Sequence, residues 1–234
     1  MSKYDRRFHS ALLCVTALVM AGCSLSNLKG GSESSSNAGG SSSSTTTAFS
    51  PSSDPRKDLR EALMKLNTAY PYRLTETTSG TTNGQAIPGG TRVVEFAAAD
   101  RSHMKWTGGP GGTVEAISIG NKHFWYSDGK WTEGELPGKT DRGVDFAKKL
   151  AEMIKEVKYV GPETVNGVAC HAYTGTFETS MAGQNWTGTG KVWIGAADGL
   201  PHQSDSEYKV ANYSGKSHLV YDYDANIRVE PPAM

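Results

Sequence analysis

Between Tyr72 and Pro232 the chain is written almost entirely in short alternating or β-branched runs, each bounded by Gly, Asn, Asp or Pro. YRLTETTS, TRVVEFAAA, SHMKWT, EAISIG, KHFWYS, VACHAYTGTFE, NWTGTGKVWIG, PHQSDSEYKV, KSHLVYDYD and NIRVEPP read as strands. IPGGT, TGGPGGT, IGNK, SDGK, VNGV and AADGLP between them are hairpin-type turns, which join consecutive strands antiparallel. Nothing repeats the strand–helix alternation of a parallel fold. The chain is therefore restricted to a single curved antiparallel sheet of about ten strands.

Two segments break this pattern. In DPRKDLREALMKLNTAY, Asp54 and Pro55 form an N-cap and first-turn pair, and Leu59, Ala62, Leu63, Leu66 and Tyr70 recur at helical spacing until Pro71. TDRGVDFAKKLAEMIKEVK, residues 140–158, carries an apolar stripe of Val144, Ala147, Leu150, Ala151, Ile154 and Val157, with Thr140 or Asp141 as its cap. The expected class is α+β, a half-barrel sheet covered by two helices.

Strand alternation assigns faces. Val94 and Phe96, Met104 and Trp106, Ile117 and Ile119, and Val192 and Ile194 pair up as apolar positions opposite Glu95, His103, Lys105 and Lys191. A helix is about 10–12 Å across and strands lie about 4.8 Å apart, so two helices cover about half of such a sheet. The candidate walls of a cavity are Leu63, Leu66, Leu150 and Ile154 from the helices, with Val94, Phe96, Met104, Trp106, Ile117 and Ile119 from the sheet. The same side chains would serve equally as a closed core.

The N-terminal region has a different character. Lys3, Arg6 and Arg7 precede an uncharged run from Ala11 to Ala21, which is far short of the roughly 20 apolar residues of a spanning helix. A basic start followed by a short apolar stretch and small residues is a secretory signal. Met20–Ala21–Gly22–Cys23 resembles the lipobox of bacterial lipoproteins, with Met20 where leucine is usual. The resemblance implies cleavage between Gly22 and Cys23 and acylation of Cys23, which would anchor the protein in the membrane. Ser24, in place of a retaining aspartate, points to the outer membrane facing the periplasm in a two-membrane bacterium. Residues 23–53 form a Ser/Gly-rich tether with too few large apolar groups to offset the entropy of ordering it. As a flexible coil it spans about 30 Å, and stretched it approaches about 100 Å. Residues 54–234 remain as one domain, after the leader (1–22) and the tether.

Charge and cysteine content narrow the function further. The chain has 24 basic and 24 acidic residues, and loss of Lys3, Arg6, Arg7 and Asp5 with the leader shifts that balance only slightly toward acid. No basic stripe points to nucleic acid. Of the 3 cysteines, Cys14 leaves with the leader and Cys23 takes the lipid. Cys170, in GVACHAY, is left as a buried thiol without a disulfide partner.

Six further segments carry a resemblance in their order: RVVEFAAADRSHMKW, EAISIGNKHFWYSDGKW, the middle helix, YVGPETVNGVACHAY, KVWIGAADGLPHQSDSEY and YDYDANIRVEPP. With the opening helix they make residues 56–232 resemble the LolA/LolB-like periplasmic fold, including its LppX/LprG-like lipoproteins and the sensor RseB. The resemblance implies an incomplete barrel around helices, an apolar cavity for acyl chains, and lipid or lipoprotein handling. No catalytic motif comes with it.

The residues themselves offer little other chemistry. His103, His123, His171, His202 and His218 fall on separate strands without metal-ligand spacing. No hydrolase elbow, phosphate loop or dinucleotide glycine pattern is present, and GGPGG at 108–112 is a turn. Asp222, Asp224 and Asn226 lack the glycine and closing glutamate of a calcium loop. Tyr221 and Tyr223 face the other way, toward core or cavity, and the five tryptophans are core more readily than a sugar platform. The expectation is an envelope lipoprotein, not an enzyme and without cofactor or metal, that binds acyl chains of a lipid or lipoprotein. The alternative is an RseB-like sensor or scaffold that binds another envelope protein.

Overall fold

The computed structural model describes residues 48–109, 112–127, 129–134, 153–181, 183–223 and 226–233. Helix α1 (Pro55–Lys65) is followed by β1 (Tyr72–Thr82), β2 (Gln85–Ala98), β3 (Arg101–Gly109), β4 (Gly112–Ile119), β5 (Lys122–Ser127) and β6 (Lys130–Gly134). Then come β7 (Ile154–Val165), β8 (Val168–Met181), β9 (Gln184–Gly195), β10 (Pro201–Val210) and β11 (Tyr213–Asp222). All 11 strands form one antiparallel sheet in the order β6-β5-β4-β3-β2-β1-β11-β10-β9-β8-β7. Two meanders of consecutive hairpins thus meet at the β1–β11 seam, where Arg73 lies opposite Asp222 and Thr82 opposite Tyr213. β6 and β7 end the order, so the sheet is open and not a closed barrel.

Asp54 starts α1 as expected: its carboxylate accepts from the backbone N–H groups of Arg56 and Lys57, with Pro55 in the first turn. The helix buries Leu59 and Ala62 against Tyr173 and Ile194, with Phe49, Leu63, Ile154, Val157 and Val192 around them. One buried carboxylate fixes its seat. Asp58 accepts from the Ser52 N–H at 2.8 Å and from the Tyr173 hydroxyl at 3.1 Å.

Four details differ from the sequence expectation. The β1–β2 turn is Asn83–Gly84, with φ of 52° and 78° as a type I′ hairpin requires, while IPGGT lies inside β2 at a bulge. KWTEG, given no element in the sequence, is a strand, β6. Of the helix expected over 140–158, residues 140–152 lie outside the described residues, and from Ile154 onward the chain is β7. NIRVEPP is an irregular strap: Val229 is buried and Ile227 packs beside it, against Ile117 and Phe124.

The register defines two faces. The inner face carries α1 and a cluster of Tyr72, Leu74, Val94, Phe96, Met104 and Ala116. The outer face carries the strap cluster and a second one of Cys170, Ala172 and Trp193. Ile117 pairs with His103, one position off the inward Met104, so Ile117 and Ile119 face outward. The expected grouping of Met104 and Trp106 with Ile117 and Ile119 is therefore corrected: they lie on opposite faces.

Candidate functional site

An apolar cavity of about 330 Å³ opens on the inner face between α1 and the sheet. That is the small end of the roughly 300–1,000 Å³ range of ligand pockets. Its helix side is apolar, formed by Leu59, Leu63, Leu66, Ile154, Phe96 and Tyr173. Its far side is aromatic, formed by Phe177, Tyr208 and Trp186. Between the two lies a polar band of Glu76, Ser204, Ser206 and Ser217.

The depth comes from absent side chains. Gly175, Gly190, Ser206, Ser217 and Thr78 are successive partners across β8, β9, β10, β11 and β1, so one inward row carries nothing large. At Gly190 an added Cβ would meet only the Asp205 carbonyl oxygen at 3.4 Å and Ser206 Cβ at 3.9 Å, so the position is open toward the cavity. Gly188, one inward position further along β9, lies beneath the Phe177 ring and lets that ring close the far side.

The polar band is held by an ion pair. Arg92 Nη2 lies 2.5 Å from Glu76 Oε2, and the side chains are 2% and 12% exposed. Ser217 Oγ donates to Glu76 Oε1 at 2.6 Å. Burial pulls the Arg92 pKa down from its ordinary value, and Glu76 opposes this. Burial, followed by the Glu76 charge, pushes the Tyr221 hydroxyl up to about 12, and burial raises Tyr208 as well. The phenols around the band are therefore neutral at physiological pH.

Elsewhere, His103 meets Glu115 at 2.7 Å and His218 meets Asp205 at 2.5 Å on the outer face, and His202, edge-on to Tyr223, meets Asp198 at 3.0 Å. Among the described residues no group of three or more His, Cys, Asp or Glu is placed to hold a metal ion. Cys170 is a free, buried thiol whose pKa is raised, first by burial and then by Asp198. Both effects disfavour the reactive thiolate.

Of the expected cavity residues, Leu63, Leu66, Phe96 and Ile154 line the space. Val94 and Met104 are buried beside it, at 0% and 7% exposure, in the packed inner cluster. Trp106 lies on the inner face of β3 opposite Val114, with its ring over Gly90 and Gly109. Ile117 and Ile119 are under the strap, and Leu150, Gly22 and Cys23 lie outside the described residues. Tyr221 lines the cavity, whereas Tyr223 packs against Tyr72. Sequence reading missed Glu76, the serines and Gly190. Their signal was present: Glu76 follows Leu74 by two residues in YRLTETTS, and SDSEY places Ser204, Ser206 and Tyr208 on one face.

No protein-family model and no curated protein sequence matches the chain. Among solved structures, LprF from Mycobacterium bovis superposes with a TM-score of 0.50 at 12% identity, over 80% of this chain and 100% of that one. The Mycobacterium tuberculosis lipoprotein LppX gives a TM-score of 0.50 at 14% identity, over 75% and 98% of the two chains. A LolA superfamily protein from Nitrosomonas europaea gives 0.33 at 9% identity, over 75% and 94%. The chain shares the fold of LprF and LppX.

Proposed function

We propose that this protein is an envelope lipoprotein, anchored through acylated Cys23, that takes an apolar chain of a lipid or acylated protein into the inner-face cavity. One observation carries the reading: an apolar space of about 330 Å³ between α1 and the sheet, deep because Gly190 and its small neighbours Ser206 and Ser217 leave the sheet bare there. Binding is by burial and not by covalent chemistry. Each methylene removed from water contributes about 0.8 kcal/mol, offset in part by the cost of association and of ordering the chain. The volume suits one chain segment rather than several chains together.

The N-terminal sequence supports the location. Lys3, Arg6 and Arg7, the short apolar run and Gly22–Cys23 are the elements of an exported, lipid-anchored protein, and the Ser/Gly-rich sequence after Cys23 suits a tether that ends before Phe49, which packs with the domain. The similarity to LppX, itself a lipoprotein, accords with this.

Native mass spectrometry of the purified protein, stripped of lipid and mixed with a panel of envelope lipids, tests the reading. One retained acyl ligand per chain is the expected result. No retained lipid across the panel would overturn it.

A further inference from the structure

The cavity is not apolar from end to end, and the order of its layers follows from the strand register. Arg92, Glu76, Leu219 and Ser204 are successive inward partners across β2, β1, β11 and β10, and Thr78, Ser217 and Ser206 form the next inward row. On the helix side of these rows stand Leu74, Tyr72 and Phe96; on the other stand Tyr208 and Trp186. A chain lying along the strands therefore crosses apolar wall, then a carboxylate with three serines, then apolar wall again.

We propose that the cavity is shaped for a lipid carrying a neutral hydrogen-bond donor, a hydroxyl or an amide N–H, between two apolar segments, with the donor seated against Glu76. The inference rests on the reading that the cavity holds an apolar chain. A bare hydrocarbon crossing the band would strip water from the Glu76 carboxylate and return nothing, which is costly for a charged group. An ionised carboxylate has about four lone-pair sites, so after Arg92 and Ser217 it has room for a further donor. An anionic ligand group would meet the Glu76 carboxylate first, because Glu76 lines the cavity while Arg92, beside it on β2, is buried at 2% exposure. A carbonyl would set acceptor against acceptor at Glu76, with the Ser217 proton already donated there, and would be left with the neutral Ser204 and Ser206 hydroxyls, weaker partners than a charged acceptor.

The test compares three methyl esters of one chain length: methyl octadecanoate, the same ester with a hydroxyl at mid-chain, and the same ester with a ketone at that carbon. Each competes with a fluorescent acyl probe for the purified full-length protein. The hydroxylated ester is expected to bind about tenfold tighter than the other two, the gain of one hydrogen bond to a charged acceptor. In the double variant Glu76→Leu with Arg92→Met, which removes the charge pair as a unit, and separately in Ser206→Ala, that preference should shrink. Equal binding of the three esters by the wild-type protein would overturn the inference and leave chain binding intact. Binding of none would overturn both. A preference that survives unchanged in a folded double variant would remove Glu76 from the role, and if that variant does not fold, the wild-type ranking decides alone.

Discussion

Glu76 and Arg92 face each other across β1 and β2 with carboxylate and guanidinium 2.5 Å apart, on the side of the sheet that otherwise carries the apolar core. Breaking such a pair from one side strands a buried charge, whereas removing both halves does not. Arg92→Met is expected to lower stability by about 3–5 kcal/mol. The Glu76→Leu, Arg92→Met double variant should lose markedly less. Urea denaturation midpoints of the three proteins check this.

Gly190 is the position at which the cavity can be filled without disturbing what surrounds it, since an added Cβ meets the Asp205 carbonyl oxygen only at 3.4 Å. Gly190→Leu should keep the circular dichroism spectrum and an unfolding midpoint close to that of the parent. Affinity for an acyl probe, measured by titration calorimetry, should fall by about tenfold, the equivalent of roughly 1.4 kcal/mol.

The Tyr173 hydroxyl and the Ser52 N–H satisfy the buried Asp58 carboxylate beneath α1. Tyr173→Phe leaves that carboxylate one donor short, at an expected cost of about 1–3 kcal/mol in chemical denaturation. Hydrogen exchange should show the loss concentrated in α1 and β8.

Glu163 on β7 is held below its ordinary pKa of 4.5 by hydrogen bonds from Lys191 and from the Trp193 indole. A depressed folded-state pKa contributes stability that is complete above 4.5 and is lost as pH falls through the lower folded value. Glu163→Gln should therefore show a shallower loss of melting temperature on acidification from neutral pH, with the difference confined to the acid limb. Parallel acid limbs in both proteins would count against the assignment.

Much of the sheet was legible because its signals are local. Val94 and Phe96 opposite Glu95, and Val192 and Ile194 opposite Lys191, kept the faces that alternation gave them. The failures have physical causes. Ile154 and Val157 lie three residues apart, a helical spacing, yet both sit in β7 and pack toward α1. A bulge between Lys155 and Lys158, with Glu156 at φ 44°, inserts one residue and brings both side chains to the same face. NIRVEPP alternates like a strand because Ile227 and Val229 must both reach the outer cluster, although among the described residues no strand pairs with it. Ile117 and Ile119 alternate correctly within β4, but which face they occupy depends on their register with β3, and no single strand encodes that. The polar band escaped notice for a similar reason: Glu76, Ser204 and Ser217 are ordinary strand residues until three separate strands place them side by side.

The direct test of a chain-binding cavity is to map where an acyl chain lies. A fatty acyl probe with a mid-chain diazirine, photolysed on the purified protein and traced by peptide mass spectrometry, should label inner-face residues of β1, β9 and β10 around Glu76, Gly190 and Ser206. The label should fade in Gly190→Leu. Labelling confined to the outer face, or unchanged by that substitution, would contradict the cavity as the binding site.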